Sequence, residues 1–202
     1  FSSALNLLLY EYTGQNDIII DFPFNIREHS DLENQLGLFL NMVGLRMKID
    51  PELTVNDFIN EVKKESFDVF NHASYPLDTI MDEINQNPFN VVLNVIYESV
   101  NSYDNNEIIK DFDIELYPVL QNKSKFPLGI DVYDHQSKIF LTFVYRTELF
   151  KQNTIEVMAE RFLACLKYII NNRSSKIKDI RIINKKKLPI IKKIIPTFNS
   201  ED

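Results

Sequence analysis

The run Gly37-Leu38-Phe39-Leu40-Asn41-Met42-Val43-Gly44-Leu45-Arg46 holds an asparagine inside an apolar stretch and closes on an arginine. An earlier run, Asp17-Ile18-Ile19-Ile20-Asp21-Phe22-Pro23-Phe24-Asn25-Ile26-Arg27, is also largely apolar and also closes on an arginine. A buried polar side chain costs about 1–3 kcal/mol unless it finds partners, so Asn41, Arg27 and Arg46 each need a reason to be there. A carboxamide both donates and accepts hydrogen bonds, which suits it to carbonyl and amide groups. An arginine at a strand end either organises a binding loop or ties the chain to nearby carboxylates and carbonyls.

Other chemistry-bearing residues are scattered. General acid–base catalysis needs an imidazole tuned near working pH and within hydrogen-bond reach of the reacting atoms. The three histidines, His29, His72 and His135, each stand alone in the sequence. His29 lies in a polar loop, His72 at a helix end where imidazole caps carbonyls, and His135 in a hairpin turn. Ser124 and Ser137 lack a G-x-S-x-G context, and Gly14, Gly37, Gly44 and Gly129 are too scattered to cradle a phosphate. Three separate histidines and the single cysteine, Cys165, make no metal-ligand set. Asp131 and Asp134 flank Tyr133 on a strand entering a turn and read as solvent-facing, while Cys165 falls on an apolar helix stripe and reads as core. No residue here is expected to be catalytic in its own right, and none to bind metal.

Composition bounds the class. The chain has 202 residues, 45% hydrophobic and 12% aromatic, enough for one sizeable core. With one cysteine it cannot form an internal disulfide. It contains no signal-peptide pattern and no run of about 18 apolar residues, so a cytoplasmic protein with no membrane partner is expected. Charge is uneven. Residues 173–193 carry nine Lys or Arg against Asp179 alone, a net of +8, which leaves −15 on the rest of a chain whose total is −7. That basic stretch lacks interleaved aromatics and any nucleic-acid motif, so it reads as a solvated linker beside an acidic body, with no nucleic-acid partner.

These residues must be positioned by a mixture of helices and strands. A first helix carries Leu5, Leu8, Leu9 and Tyr12 on one stripe and stops at Gly14; its stripe starts so near Phe1 that an excised piece of a longer protein is expected. Asp17–Phe24 reads as a strand buried on both faces. Asp31–Phe39 reads as a short helix leading into an extended segment through Arg46 to Ile49. Thr54, with Asp57 to reach back, caps a long helix striped by Val55, Phe58, Ile59, Val62, Val69 and Phe70. Pro76 starts another helix with Leu77, Ile80, Met81 and Ile84 as its buried face. Strands are expected over Asn90–Glu98, Asp113–Leu120 (an edge or bulged strand, because of Pro118), Leu128–Tyr133 and Ile139–Arg146. Asn153 and Glu156 would cap a last helix striped by Ile155, Met158, Ala159, Phe162, Cys165, Leu166 and Ile169, followed by a strand over Ile177–Ile183. Without a βαβ rhythm, this points to an α+β sandwich, helices packed on one mostly antiparallel mixed sheet.

The two opening runs resemble G-x-F-V-N-T-x-x-x-R and D-x-x-x-G-x-P-x-x-x-R, motifs of the condensation domains of nonribosomal peptide synthetases. Asn71-His72-Ala73-Ser74-Tyr75-Pro76-Leu77-Asp78 is similar to that family's H-Q-x-Y-P-F-E element. Asn87-Pro88-Phe89-Asn90-Val91-Val92-Leu93-Asn94 is similar to its N-P-L-F-x-V-x-F strand. Leu141–Phe150 is similar to L-x-Y-x-x-x-L-F, and Ile195-Pro196-Thr197-Phe198-Asn199-Ser200 to the F-N-x-T linker that opens a following adenylation domain. The ordered set covers nearly the whole chain.

The resemblance implies a chloramphenicol-acetyltransferase-like fold, with residues 1–183 as the C-terminal subdomain and residues 184–202 as a basic linker. It implies one wall of a tunnel in which a carrier-bound acyl or peptidyl thioester is transferred to the amine of a carrier-bound aminoacyl group. Expected partners are the N-terminal condensation subdomain, upstream and downstream peptidyl carrier domains bearing phosphopantetheine arms, and an adenylation domain. No cofactor is expected to bind directly. Asn41, Arg46, Arg27, Tyr75 and Asn87 become the tunnel or motif candidates, Asn41 foremost. The family's H-H-x-x-x-D-G histidines are absent, so the chain alone should be inactive. Departures are Asp21 and Ile26 at usual glycines, Met42 at the usual Thr, and Pro127 where an acidic residue is common. They leave open a non-catalytic acyltransferase-like module that binds carrier or neighbouring domains.

Overall fold

Ile18 and Ile20 are fully buried on one face of a strand whose other face buries Asp21 completely, so this strand is covered on both sides. It is β1 (Asp17–Asn25). The computed structural model describes residues 1–27, 29–84, 90–97, 124–135 and 138–182. β2 (Leu40–Lys48) runs antiparallel to β1 along its whole length, from Asp17↔Lys48 to Asn25↔Leu40. On its other side β1 meets β3 (Val91–Tyr97) in parallel, with Asp21 opposite Val92. β4 (Leu128–His135) continues in parallel with β3, and β5 (Lys138–Tyr145) returns antiparallel to β4. The sheet order is β2-β1-β3-β4-β5, an antiparallel pair on each flank of a parallel centre. A central parallel position accounts for the uninterrupted Ile18-Ile19-Ile20 run.

Strand alternation sends one set of side chains toward the helices. Val43, Leu45 and Met47 of β2 are buried with Ile18 and Ile20 of β1, Leu93 of β3, and Leu128, Ile130 and Val132 of β4. Helix α1 (Ser2–Thr13) packs here with Ala4, Leu5, Leu7, Leu8 and Leu9 all essentially inaccessible. Gly14 ends it at φ +71°, a left-handed conformation that glycine adopts without a Cβ penalty, and its N–H donates to the Tyr10 carbonyl at 2.7 Å. Helix α2 (Val55–Asn71) begins at the expected cap: the Asp57 N–H donates to Thr54 Oγ1 at 3.1 Å, and Thr54 Oγ1 donates to Asp57 Oδ2 at 2.6 Å. Its Phe70 stacks on Phe24 at 4.8 Å between centroids. Helix α4 (Gln152–Asn171) buries Ile155, Met158, Phe162, Cys165 and Ile169, and Phe162 meets Phe143 of β5 edge-on. The Cys165 thiol lies 3.3 Å from the Ala4 carbonyl and burial pushes its pKa up to about 12, so it is an inert core group. Arg161 donates to the Tyr12 hydroxyl at 2.8 Å, a second tie between α4 and α1.

Four local expectations need correction. Residues 31–39 form only a 3-10 turn, Ser30–Leu32, because Arg27 takes the Leu32 and Gln35 carbonyls at 3.1 Å each. α4 is preceded by Lys151 without a side-chain cap; Asn153 sits within its first turn, and Gln152 bonds Glu156 instead. The segment after α4 is a 3-10 turn, Ile177–Asp179, held by backbone bonds to Pro51 and Leu53 and by Glu52 against Lys176 and Lys178. Helix α3 (Leu77–Ile84) leaves Ile80 36% exposed, with Leu77 and Met81 half-buried, so its apolar stripe is not the buried face expected. The strand expected over Asp113–Leu120 with Pro118, the residues 136–137 of the β4–β5 turn, and the 184–202 linker lie outside the described residues. Among the described residues, no helix is long and apolar enough to cross a membrane.

Phe58 and Phe67 lie on the same helix but at 0% and 59% exposure. Phe58→Ala should cost about 3–5 kcal/mol, whereas Phe67→Ala should stay within about 0.5 kcal/mol. Denaturant unfolding of the chain, expected to be a single cooperative transition, measures both.

Candidate functional site

Alternation along β2 separates the candidate residues before any chemistry is considered. Asn41 shares the parity of Val43, Leu45 and Met47 and points with them toward the helices, half-buried. Arg46 shares the parity of Gly44 and Lys48 and points to the opposite, exposed face.

The Asn41 carboxamide is the centre of one cluster. Its Nδ2 donates to the Ala73 and Tyr75 carbonyls, both at 2.7 Å. These carbonyls belong to the corner where α2 ends and α3 begins, a corner the chain turns with successive 3-10-type bonds from Ala73 to Phe70 and from Tyr75 to His72. Tyr75 is 48% exposed and its hydroxyl donates to Glu83 of α3 at 3.2 Å; this carboxylate neighbour raises the phenol's pKa above its ordinary value. His72 closes α2 with Nδ1 2.8 Å from the Asp68 carbonyl, so its ring is engaged with the backbone as the sequence indicated. Thus Asn41 and Tyr75, far apart in the chain, share one corner.

Arg27 builds a neighbouring loop. Besides its two carbonyl bonds, its guanidinium lies 4.1 Å over the Phe39 ring, and the Ile26 N–H donates to the Phe39 carbonyl at 2.9 Å. Locked in this way, the segment presents Leu36, Leu38 and Leu40, alternate residues, at 103%, 87% and 53% exposure. Arg46 lies elsewhere. It forms a forked pair with Asp17 at 2.9 and 2.8 Å across β1 and β2, and the hydrogen bonds from Arg46 hold the Asp17 carboxyl below its ordinary pKa. Of the two roles open to these arginines, tying strand ends to carbonyls and a carboxylate is the one this geometry displays. An open cavity of about 370 Å³ lies beside Arg46, lined also by Met47, Lys48, Glu61, Lys64 and Glu65. Asn87 and the His135 side chain fall outside the described residues.

One buried carboxyl group was not read as such from the sequence. Asp21 is 0% exposed at the middle of β1, and burial pushes its carboxyl up to about 8, which favours the neutral acid. The signal was present as a charged residue between Ile20 and Phe22, at a position where a glycine is usual. On the same face of the sheet, Asn94 donates to Asp131 at 3.1 Å, so Asp131 is tied into the sheet while Asp134 is exposed. Among the described residues, no three His, Cys, Asp or Glu side chains are grouped to hold a metal ion. The arrangement offers hydrogen-bonding and apolar surfaces and a preformed corner.

Comparison with known proteins agrees with that geometry. The chain is 32% identical over 187 residues to gramicidin S synthase 2 of Brevibacillus brevis, covering 90% of this chain and 4% of that protein. It is 31% identical over 189 residues to surfactin synthase subunit 2 of Bacillus subtilis strain 168, covering 90% of this chain and 5% of that one. The chain therefore spans a small part of these relatives. In fold it is similar to a four-domain nonribosomal peptide synthetase bound to AMP and glycine, with a TM-score of 0.77 at 19% identity over 91% of this chain and 15% of that one. It also matches the starter condensation domain of rhizomide synthetase, with a TM-score of 0.69 at 16% identity over 91% of this chain and 44% of that one. The condensation-domain family model matches residues 1–188. This chain belongs to the condensation-domain family of nonribosomal peptide synthetases.

Proposed function

We propose that residues 1–183 are the C-terminal subdomain of a condensation domain and form one wall of its substrate tunnel, with residues 184–202 as the linker to an adenylation domain. In this reading an upstream carrier domain presents an acyl or peptidyl thioester on its phosphopantetheine arm, and a downstream carrier presents an aminoacyl group. The amine forms the new C–N bond, the C–S bond breaks, and the upstream arm leaves as a thiol. The N-terminal subdomain supplies the catalytic histidine. This chain contributes surface and orientation, a large share of catalysis between two tethered reactants.

One observation carries the proposal: a chain matched by the condensation-domain model over residues 1–188 spans 44% of a solved condensation domain while keeping its fold. The Asn41–Tyr75 corner and the Arg27-locked loop supply a preorganised rim for such a wall. A second reading, a non-catalytic module that binds a neighbouring domain, is favoured by a TM-score of 0.74 to a chain in the complex of the X-domain and OxyB from teicoplanin biosynthesis.

Two outcomes follow. Incubated with carrier-bound donor and acceptor substrates, this chain alone should form no peptide bond above a no-protein control by mass spectrometry; product would overturn the assignment of catalysis to the other subdomain. Asn41→Ala should strand the Ala73 and Tyr75 carbonyls and cost about 1–3 kcal/mol of stability, since its amide bonds are made within the chain. In the complete synthetase, slowed condensation with an unchanged melting temperature would instead place Asn41 against substrate.

A further inference from the structure

The five-stranded sheet is assembled from two parts. β1 and β2 form a hairpin registered over nine residue pairs, from Asp17↔Lys48 to Asn25↔Leu40. β3, β4 and β5 form a second unit, with β3 and β4 registered over seven pairs from Val91↔Leu128 to Tyr97↔Asp134. Between the two units, β1 and β3 are registered at a single pair, Asp21↔Val92, among the described residues. A seam held at one pair is the weakest join in the sheet, and a carboxyl group occupies it.

The side chain of Asp21 is wholly inaccessible, and neither carboxyl oxygen has a fully formed hydrogen bond. The nearest compensation is the Asn90 backbone amide, at the start of β3, which favours the ionised form but is outweighed by burial. Across β2, Gly44 makes room: a Cβ at that position would lie 3.4 Å from Asp21 Oδ1 and 3.3 Å from Ile19 Cγ2. The charged groups sharing this face of the sheet are otherwise engaged or distant from the seam. Asp17 and Arg46 neutralise each other, Lys48 sits at the end of β2 opposite Asp17, and Asp131 of β4 accepts from Asn94. β3 presents Val92, Asn94 and Ile96 here, none of them titratable, and among the described residues no charged side chain contributes to the state of Asp21.

We propose that Asp21 is a proton-controlled closure of the β1–β3 seam: as a neutral acid it lets the hairpin seat against β3, and as an anion it forces the seam to admit water. The physical reason is the cost of an uncompensated ion. A neutral carboxyl tolerates a dry site, whereas a carboxylate without a cation or a set of donors must be rehydrated. The β1–β2 hairpin bears Arg27, Asn41 and Arg46, so seam opening would shift the whole motif-bearing edge relative to β3–β5.

The sign of the pH effect follows. With the folded-state pKa of Asp21 raised to about 8 from an ordinary 3.8, the folded chain holds a proton that the unfolded chain has released between those values. Stability therefore falls as pH rises from about 4 to about 8 and levels off above. The experiment is thermal unfolding of this chain and of its Asp21→Asn variant between about pH 5 and pH 8.5, with hydrogen exchange at both ends corrected for intrinsic rates. Other titrations are common to the two proteins, so their difference isolates Asp21. The wild type should lose melting temperature relative to Asp21→Asn as pH rises, and amides of residues 17–25 and 90–97 should exchange at least about tenfold faster at the alkaline end, those of β4–β5 unchanged. Parallel pH curves for the two proteins would overturn the proposal. Should the variant fail to fold, the carboxyl carbon-13 resonance of Asp21 in the wild type decides: a midpoint near 8 supports the closure, and one near 4 overturns it.

Discussion

The parallel join of β1 to β3 governs how this chain is arranged. A hairpin of two nine-residue strands and a three-stranded unit each satisfy their own backbone groups, but neither covers the other's apolar face alone. With Asp21 opposite Val92, Ile20 lies level with Val91 and Leu128, and Phe22 with Leu93 and Ile130, in the buried floor on which α1, α2 and α4 pack. The carboxyl placed at that seam is costly to bury as an ion and inexpensive as a neutral acid, so the site depends on a protonation state as well as on shape.

The polar residues of the motifs serve mainly to fix backbone. Asn41 holds the α2–α3 corner by two carbonyls, Arg27 holds the following loop by two carbonyls and an aromatic ring, and Arg46 bridges the ends of two strands through Asp17. Asn41 and Arg27 hold backbone where the chain turns, whereas Arg46 ties one strand to its neighbour. The result is an edge whose loops are held by side-chain bonds without being helical. The Arg46–Asp17 pair is itself partly exposed and is worth less for stability than for alignment.

Apolar exposure fits the same picture. Leu36, Leu38 and Leu40 project from an ordered loop, and α3 leaves Ile80 uncovered. Isolated exposed leucines are ordinary, but three within five residues form a local concentration of apolar surface. The chain that carries this apolar surface spans 44% of a solved condensation domain of similar fold.

Local pattern alone determined the elements with strong periodicity. α1 with its Gly14 stop, α2 with its Thr54–Asp57 cap, the stripe of α4 and the strands at 17–25, 91–97, 128–135 and 138–145 were legible because their signals lie within a few residues of one another. The ordered motifs also identified the family from residues alone. Tertiary structure decided the rest. A helix at 31–39 was locally reasonable until Arg27 captured the carbonyls it would have used, and a strand at 177–183 until the 50–54 segment captured its backbone. That Asn41 meets Tyr75, that Arg46 faces away from both, and that Asp21 is neutral depend on which strands are neighbours and which face each residue takes. Those are long-range facts: strand pairing and burial set hydrogen-bond partners and carboxyl ionisation, and neither is encoded in the few residues on either side.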